Sequence, residues 1–253
     1  MDTRFSMKGS NAIVTGATRG IGLAIARGFL ESGATVTLCG RKPEGVAAAL
    51  TALSDHASNV EGVSAHVGKV EDIERLISAA EGRFGPVNTL VNNAGTNPYY
   101  GPIAESEDWA WDKTMDVNLR GPYLLSRRVG VKMMEGDGGS IINISSVTGL
   151  EAAPDQGIYS VTKAGLIMLT KVMAREMGAS GVRVNCICPG VIRTQLSRAL
   201  WEEEGNEQAF VARKALGRIG EVDELVGAAI YFASAASSFT TGAVLQVDGG
   251  MVI

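Results

Sequence analysis

Short runs of β-branched and apolar residues alternate along the chain with longer stretches in which apolar positions recur every three or four residues. The short runs stop at glycine, asparagine, serine or proline, which predicts strands at 11–15, 35–39, 62–66, 89–92, 140–145, 183–187 and 244–247. The helical spacing predicts helices at 21–32, 43–56, 70–84, 107–134, 157–178 and 221–233. Strict alternation of the two patterns implies a doubly wound α/β fold, a seven-stranded parallel sheet covered by helices on both faces. No internal repeat or low-complexity linker interrupts it, so residues 1–253 are expected to form one domain. The rhythm breaks at 191–220, where Leu196, Leu200, Trp201 and Phe210 surround an acidic run and no strand is predicted. A long segment beyond the carboxyl end of a strand is where such folds carry a substrate lid.

Composition narrows the function classes. Glycine supplies 32 of 253 residues, well above the usual level of roughly 7%, so tight turns and close backbone approaches are expected. A formal charge of -4 offers no basic field for nucleic acid or anionic lipid. No apolar stretch approaches the ~20 residues of a membrane helix and the first ten residues contain no signal-peptide core, so a cytoplasmic protein is expected. Cys39, Cys186 and Cys188 sit in apolar strand-like runs and read as packing residues. With no second Cys/His cluster beside them, no metal is expected.

The first candidate site is Thr15-Gly-Ala-Thr-Arg-Gly-Ile-Gly22, between the first predicted strand and helix. Glycines at 16, 20 and 22 permit a sharp turn and close approach of a pyrophosphate, and the backbone amides of Thr18, Arg19, Gly20 and Ile21 open a helix N-terminus. At the end of the second strand, where a carboxylate would accept from a free ribose 2′-hydroxyl, the chain reads Cys39-Gly40-Arg41-Lys42. Arg41, with Arg19 from the glycine loop, instead suits a 2′-phosphate, so NADP(H) is expected in preference to NAD(H).

Tyr159-Ser-Val-Thr-Lys163 sets a phenol and an ammonium at i and i+4 on one helix face. Thirteen residues earlier stands Ser146, in Asn143-Ile-Ser-Ser-Val-Thr-Gly149, and Asn118 lies in Met115-Asp-Val-Asn-Leu-Arg-Gly121. With Asn92-Asn-Ala-Gly95, Pro189-Gly-Val-Ile-Arg-Thr194 and Val247-Asp-Gly-Gly250 in the same order, the chain resembles the short-chain dehydrogenase/reductase family over essentially its whole length.

The resemblance implies a Rossmann-type fold and a catalytic tetrad of Asn118, Ser146, Tyr159 and Lys163. Tyr159 would exchange a proton with the substrate oxygen, its phenol lowered by the ammonium and by an oxidised nicotinamide. Ser146 would hold that oxygen, Lys163 would bind the nicotinamide ribose, and Asn118 would support a proton-delivering water chain. Asn93, Ala94 and Gly95 correspond to the adenosine turn, while Pro189, Gly190, Ile192 and Thr194 correspond to the strand end beside the nicotinamide. The third strand departs from the family pattern, reading Ala65-His66-Val67 where an aspartate is usual; Val67 could still supply a backbone bond.

Thr148, Leu196 and Leu200, with Ser146 and Tyr159, are expected to contact substrate in a pocket formed by 96–100, 148–156 and 190–210. That pocket looks mostly apolar and suits a free ketone or secondary alcohol. The family alternative is reduction of a 3-oxoacyl group on acyl carrier protein or coenzyme A. An acidic carrier would meet Met133-Met-Glu-Gly-Asp-Gly138 here, acid against acid. A non-catalytic dinucleotide sensor is the remote alternative. The resemblance also implies a homotetramer, with the helices at 107–134 and 157–178 across one interface.

Overall fold

The computed structural model describes residues 3–202, 208, 211, 212 and 214–252. The seven strands are β1 (Asn11–Thr15), β2 (Thr35–Gly40), β3 (Val60–Ser64), β4 (Thr89–Asn92), β5 (Gly139–Ile144), β6 (Val182–Pro189) and β7 (Val244–Val247). All neighbours are parallel, in the order β3-β2-β1-β4-β5-β6-β7. The order reverses between β1 and β4, and doubly wound sheets bind ligands at the carboxyl ends beside such a point. Among the described residues the helices are α1 (Gly20–Glu31), α2 (Pro43–Ala52), α3 (Val70–Phe84), α4 (Asp108–Met115), α5 (Gly121–Glu135), α6 (Gly157–Met177) and α7 (Val226–Ala233).

Central strands read as unbroken apolar runs because both faces are covered. Side chains alternate between those faces, so Val14 packs into the core beneath α1, α2 and α7 while Ile13 enters the core beneath α3, α5 and α6. A buried amide chain crosses the second layer. Asn92 Nδ2 donates to Ser126 Oγ and to Asn143 Oδ1, both at 2.8 Å, and Asn143 Nδ2 donates to Thr170 Oγ1 at 2.8 Å. These bonds set α5 and α6 relative to β4 and β5.

Several expected boundaries are corrected. The third strand runs two residues earlier than predicted, because Val36 to Gly40 of β2 pair with Val60 to Ser64; His66 therefore lies beyond the strand. The expected helix at 43–56 stops at Ala52 and ends in a short 3-10 turn. The expected helix at 221–233 opens as a 3-10 turn, Val222–Leu225, before α7. The expected continuous helix at 107–134 is divided by a π-turn, Asp116–Arg120, between α4 and α5. Periodicity hid that break, since a turn of i+5 spacing leaves the apolar residues on both sides facing inward.

Among the described residues, no helix is long and apolar enough to cross a membrane, and no group of three or more His, Cys, Asp or Glu side chains is gathered to hold a metal. The three thiols are free and buried, with Cys186 and Cys188 sulfurs 3.9 Å apart, and burial pushes Cys39 up to about 12.

Candidate active site

The glycine loop is built against the turn after β4. Thr15 Oγ1 donates to Val91 O (3.2 Å) and accepts from the N–H groups of Asn93 and Ala94, while Asn93 Nδ2 donates to Thr15 O and Gly16 O. A Cβ on Gly16 would lie 2.7 Å from Ala94 Cα, and one on Gly22 would lie 2.4 Å from Asn93 Nδ2. Gly20, at φ +58, faces Thr194. Arg19, the residue preceding α1, makes no side-chain capping bond, and the first turn of α1 contains no acid. The opening amides of α1 are thus left for an anion, and a dinucleotide pyrophosphate fits the loop. The described side chain of Arg19 donates to Gln195, at the start of the 191–220 segment, while Arg41 lies exposed past β2.

His66 lies beside Arg41 and Lys69. Burial, then those two cations, pull its imidazole below the usual histidine range. Its Nδ1 accepts from Gly68 N–H at 3.1 Å, and the His66 backbone N–H donates to Asp72 Oδ2 at 2.8 Å. Val67 is buried, packed in the lower core.

Ser146 follows β5, and Tyr159 and Lys163 lie one turn apart in the first half of α6. Gly149 allows the two elements to meet, since a Cβ there would stand 2.6 Å from the Lys163 carbonyl carbon. Ser146 Oγ accepts from Thr148 N–H (3.2 Å) and from Thr148 Oγ1 (3.1 Å), so both lone pairs are used and its own proton is available to donate. Ser145 is excluded from that part, because its buried hydroxyl donates to Lys163 O at 2.8 Å. Lys163 Nζ lies 5.5 Å from the Tyr159 ring centroid and donates to Ile144 O at 2.8 Å.

Burial dominates the electrostatics. It raises the Tyr159 phenol well above its ordinary value, and a charge on Tyr100 raises it further, while the hydrogen bond with Ser146 opposes both. The expected lowering of Tyr159 by the neighbouring ammonium is therefore overridden in the protein alone: desolvation of a phenolate outweighs an ammonium already engaged by a carbonyl. Burial also brings Lys163 down to about 8.

These groups open on a cavity of about 680 Å³. Of the sequence-predicted residues, Ile21, Asn93, Gly95, Ser146, Thr148, Tyr159, Lys163, Pro189, Gly190, Ile192, Thr194, Leu196 and Leu200 line it. Gly16, Thr18, Arg19, Gly20, Gly22, Arg41, Val67 and Ala94 are not among the lining residues. Asn118 lies behind the wall, fully buried in the π-turn, with its amide bound to Thr96. Phe210, part of the expected pocket, lies outside the described residues. Glu151 and Asp155 also line the cavity, within the expected 148–156 stretch. Met251 and Val252 also line it and were missed; their signal is their position directly after Val247-Asp-Gly-Gly250.

A phenol, the serine hydroxyl hydrogen-bonded to it and a buried amine beside a pyrophosphate loop define a Rossmann-type dinucleotide-binding oxidoreductase. Residues 16–252 match the family described as enoyl-(acyl carrier protein) reductase. Dehydrogenase/reductase SDR family member 4 of Oryctolagus cuniculus is 38% identical over 239 residues, 94% of this chain and 92% of the relative. A gluconate 5-dehydrogenase from Burkholderia cenocepacia J2315, solved with NADP and tartrate, is 37% identical with a TM-score of 0.93, covering 98% of this chain and 97% of that one. A blue fluorescent protein from a metagenomic library, solved with NADPH, is 30% identical with a TM-score of 0.90, covering 98% of this chain and all of that one. The chain belongs to the short-chain dehydrogenase/reductase family of oxidoreductases.

Proposed function

We propose that the protein is an NADP(H)-dependent oxidoreductase that interconverts a free ketone and a secondary alcohol. The observation that carries this reading is the convergence of the Ser146 hydroxyl, the Tyr159 phenol and Lys163 on one cavity beside the glycine loop. When bound, the nicotinamide supplies a hydride to the carbonyl carbon or accepts one from the alcohol. Tyr159 gives its proton to the carbonyl oxygen in reduction and removes the alcohol proton in oxidation; a phenol raised by burial stays protonated near neutrality, ready to act as the acid. Ser146 donates to the same oxygen and stabilises its developing charge. Lys163 holds the nicotinamide ribose, and Asn118 is a positioning residue beneath the wall.

NADP(H) is preferred on the grounds that Arg41 and Lys42 follow β2 where a ribose-binding carboxylate would stand, and two solved neighbours contain NADP or NADPH. An acyl carrier is disfavoured by exposed Glu135 and Asp137 at the end of α5, with Lys132 already paired to Glu81. A homotetramer is supported by exposed Trp109, Trp111 and Tyr123 on α4 and α5, Met168 and Val172 on α6, and Phe239 before β7.

The test is oxidation of NADPH and NADH by the purified protein against aliphatic, aromatic and diketone substrates and a 3-oxoacyl thioester. Turnover of free ketones with NADPH is expected, and Tyr159→Phe should abolish it while cofactor binding survives. Activity confined to the thioester would overturn the reading. Light scattering should give four times the chain mass of 26.4 kDa.

A further inference from the structure

Two loops, 97–101 and 151–156, complete the cavity wall. They are tied together: Gly101 N–H donates to Asp155 O at 3.0 Å, and Gly101 forms an isolated parallel bridge with Gln156. Asp155 has φ +59, the one positive value at a non-glycine among the described residues. Such a conformation persists where its surroundings over-determine it, as they do at ligand clamps.

Within this wall stands Asn97. The residue lines the cavity, yet its Nδ2 is sealed from solvent and makes no hydrogen bond of good geometry. Its amide makes only a weak bond to the Tyr100 hydroxyl, and a charge on Tyr100 is felt in turn by Tyr159, so this under-used donor is one side chain removed from the reacting centre. A buried donor so poorly paired is rare and calls for an explanation, and the terminal torsion of asparagine is soft enough to turn the group into the cavity. Lys163, the cavity's one cation among the described lining residues, is engaged by Ile144 O, whereas Asp155 adds a carboxylate to the wall. A substrate carboxylate would meet like charge there.

Building on the ketone reading above, we infer that Asn97 is a specificity-determining residue whose Nδ2 donates to a second oxygen beside the reacting carbonyl, so that the preferred substrates are uncharged ketones bearing a neighbouring hydroxyl or carbonyl oxygen. A site that holds a donor for a substrate oxygen penalises the analogue lacking it, because the donor then stays unpaired.

Three probes of similar size separate the terms: 2-pentanone, 1-hydroxy-2-butanone and 2-oxobutanoate, each reduced with NADPH and with NADH by the full-length protein and by Asn97→Ala and Asn97→Asp. The unaltered protein should favour the hydroxy ketone over 2-pentanone in kcat/KM by about tenfold or more, and 2-oxobutanoate should be the poorest of the three. Both variants should bring the hydroxy ketone to 2-pentanone ratio close to one, with NADPH binding measured by fluorescence reporting that each is folded. A purely architectural Asn97 lowers both ketones alike and leaves the ratio unchanged, which overturns the assignment. A ratio near one in the unaltered protein, or 2-oxobutanoate turned over as fast as the hydroxy ketone, overturns the substrate class while leaving ketone reduction standing. No reduction of any probe overturns the ketone reading itself and this inference with it.

Discussion

Asn118 grips Thr96 by both its backbone N–H and its carbonyl. Its Oδ1 accepts from Thr96 N–H at 2.8 Å, and its Nδ2 donates to Thr96 O at 2.9 Å and to Thr162 Oγ1 at 3.2 Å. One side chain thereby joins the π-turn to the loop after β4 and to α6, the helix that presents Tyr159 and Lys163. Asn118→Ala removes three hydrogen bonds, one fully buried, at roughly 1 kcal/mol each. At about 2–4 °C per kcal/mol for a chain of this size, its melting temperature should fall by about 6–12 °C. The kcat should drop at least tenfold while the dissociation constant for NADPH changes little; equal losses in both would make Asn118 a general scaffold residue.

The Tyr159–Lys163 pair was legible because i and i+4 on a helix are neighbours whatever the tertiary fold, and the glycine loop because its turn needs glycine at fixed positions. The π-turn around Asn118 was not legible, since it changes backbone hydrogen bonding without changing hydrophobic order. Asn97 and Tyr100 fell within the expected pocket but could not be singled out, because their closeness to Tyr159 depends on the tie between Gly101 and Asp155, far apart in sequence. The direction of the Tyr159 shift also escaped sequence reasoning: an i+4 ammonium is visible in the chain, but the dryness of the site is not.

Gly22 is the most restrictive position in the glycine loop. A Cβ there would stand 2.4 Å from Asn93 Nδ2, 2.6 Å from Gly16 O and 2.9 Å from Ala17 Cα, two of them backbone atoms with little room to yield. Gly22→Ala should cost about 1–3 kcal/mol, as overpacking does, and weaken NADPH binding, because the displaced Asn93 also anchors Thr15 O and Gly16 O. Chemical denaturation and fluorescence titration of NADPH read the two effects; an unchanged dissociation constant would mean that the loop does not hold the pyrophosphate.

Arg41 stands exposed just past β2, with no carboxylate at that strand's tip. If it holds a 2′-phosphate through a charge-assisted bond, Arg41→Ala should lose about 1.5–3 kcal/mol of NADPH affinity, roughly 10- to 100-fold in KM. The KM for NADH, which lacks that phosphate, should move less than about twofold by the same argument. Parallel loss of both cofactors would assign Arg41 to the adenosine in general and remove the argument for NADP(H).

Lys163 makes the stability depend on pH in a direction opposite to most surface lysines. Burial brings it from 10.5 to about 8 in the folded protein. Below pH 8 both folded and unfolded chains hold the proton, and the folded state carries a desolvated charge. Between about 8 and 10.5 the folded protein loses the proton while the unfolded chain retains it, so the unfolded state binds more protons and stability rises with pH. The full rise is about 3 kcal/mol at 1.36 kcal/mol per pKa unit. Above pH 10 the raised Tyr159 phenol works the other way, since the unfolded chain then ionises first. The Lys163 contribution is therefore read between pH 8 and 10 as the difference between the protein and Lys163→Met, both without cofactor. The unsubstituted protein should gain melting temperature over this interval relative to the variant, and parallel curves would mean that Lys163 is not desolvated in solution. Over the same interval, turnover should decline if the Lys163 ammonium holds the ribose as proposed.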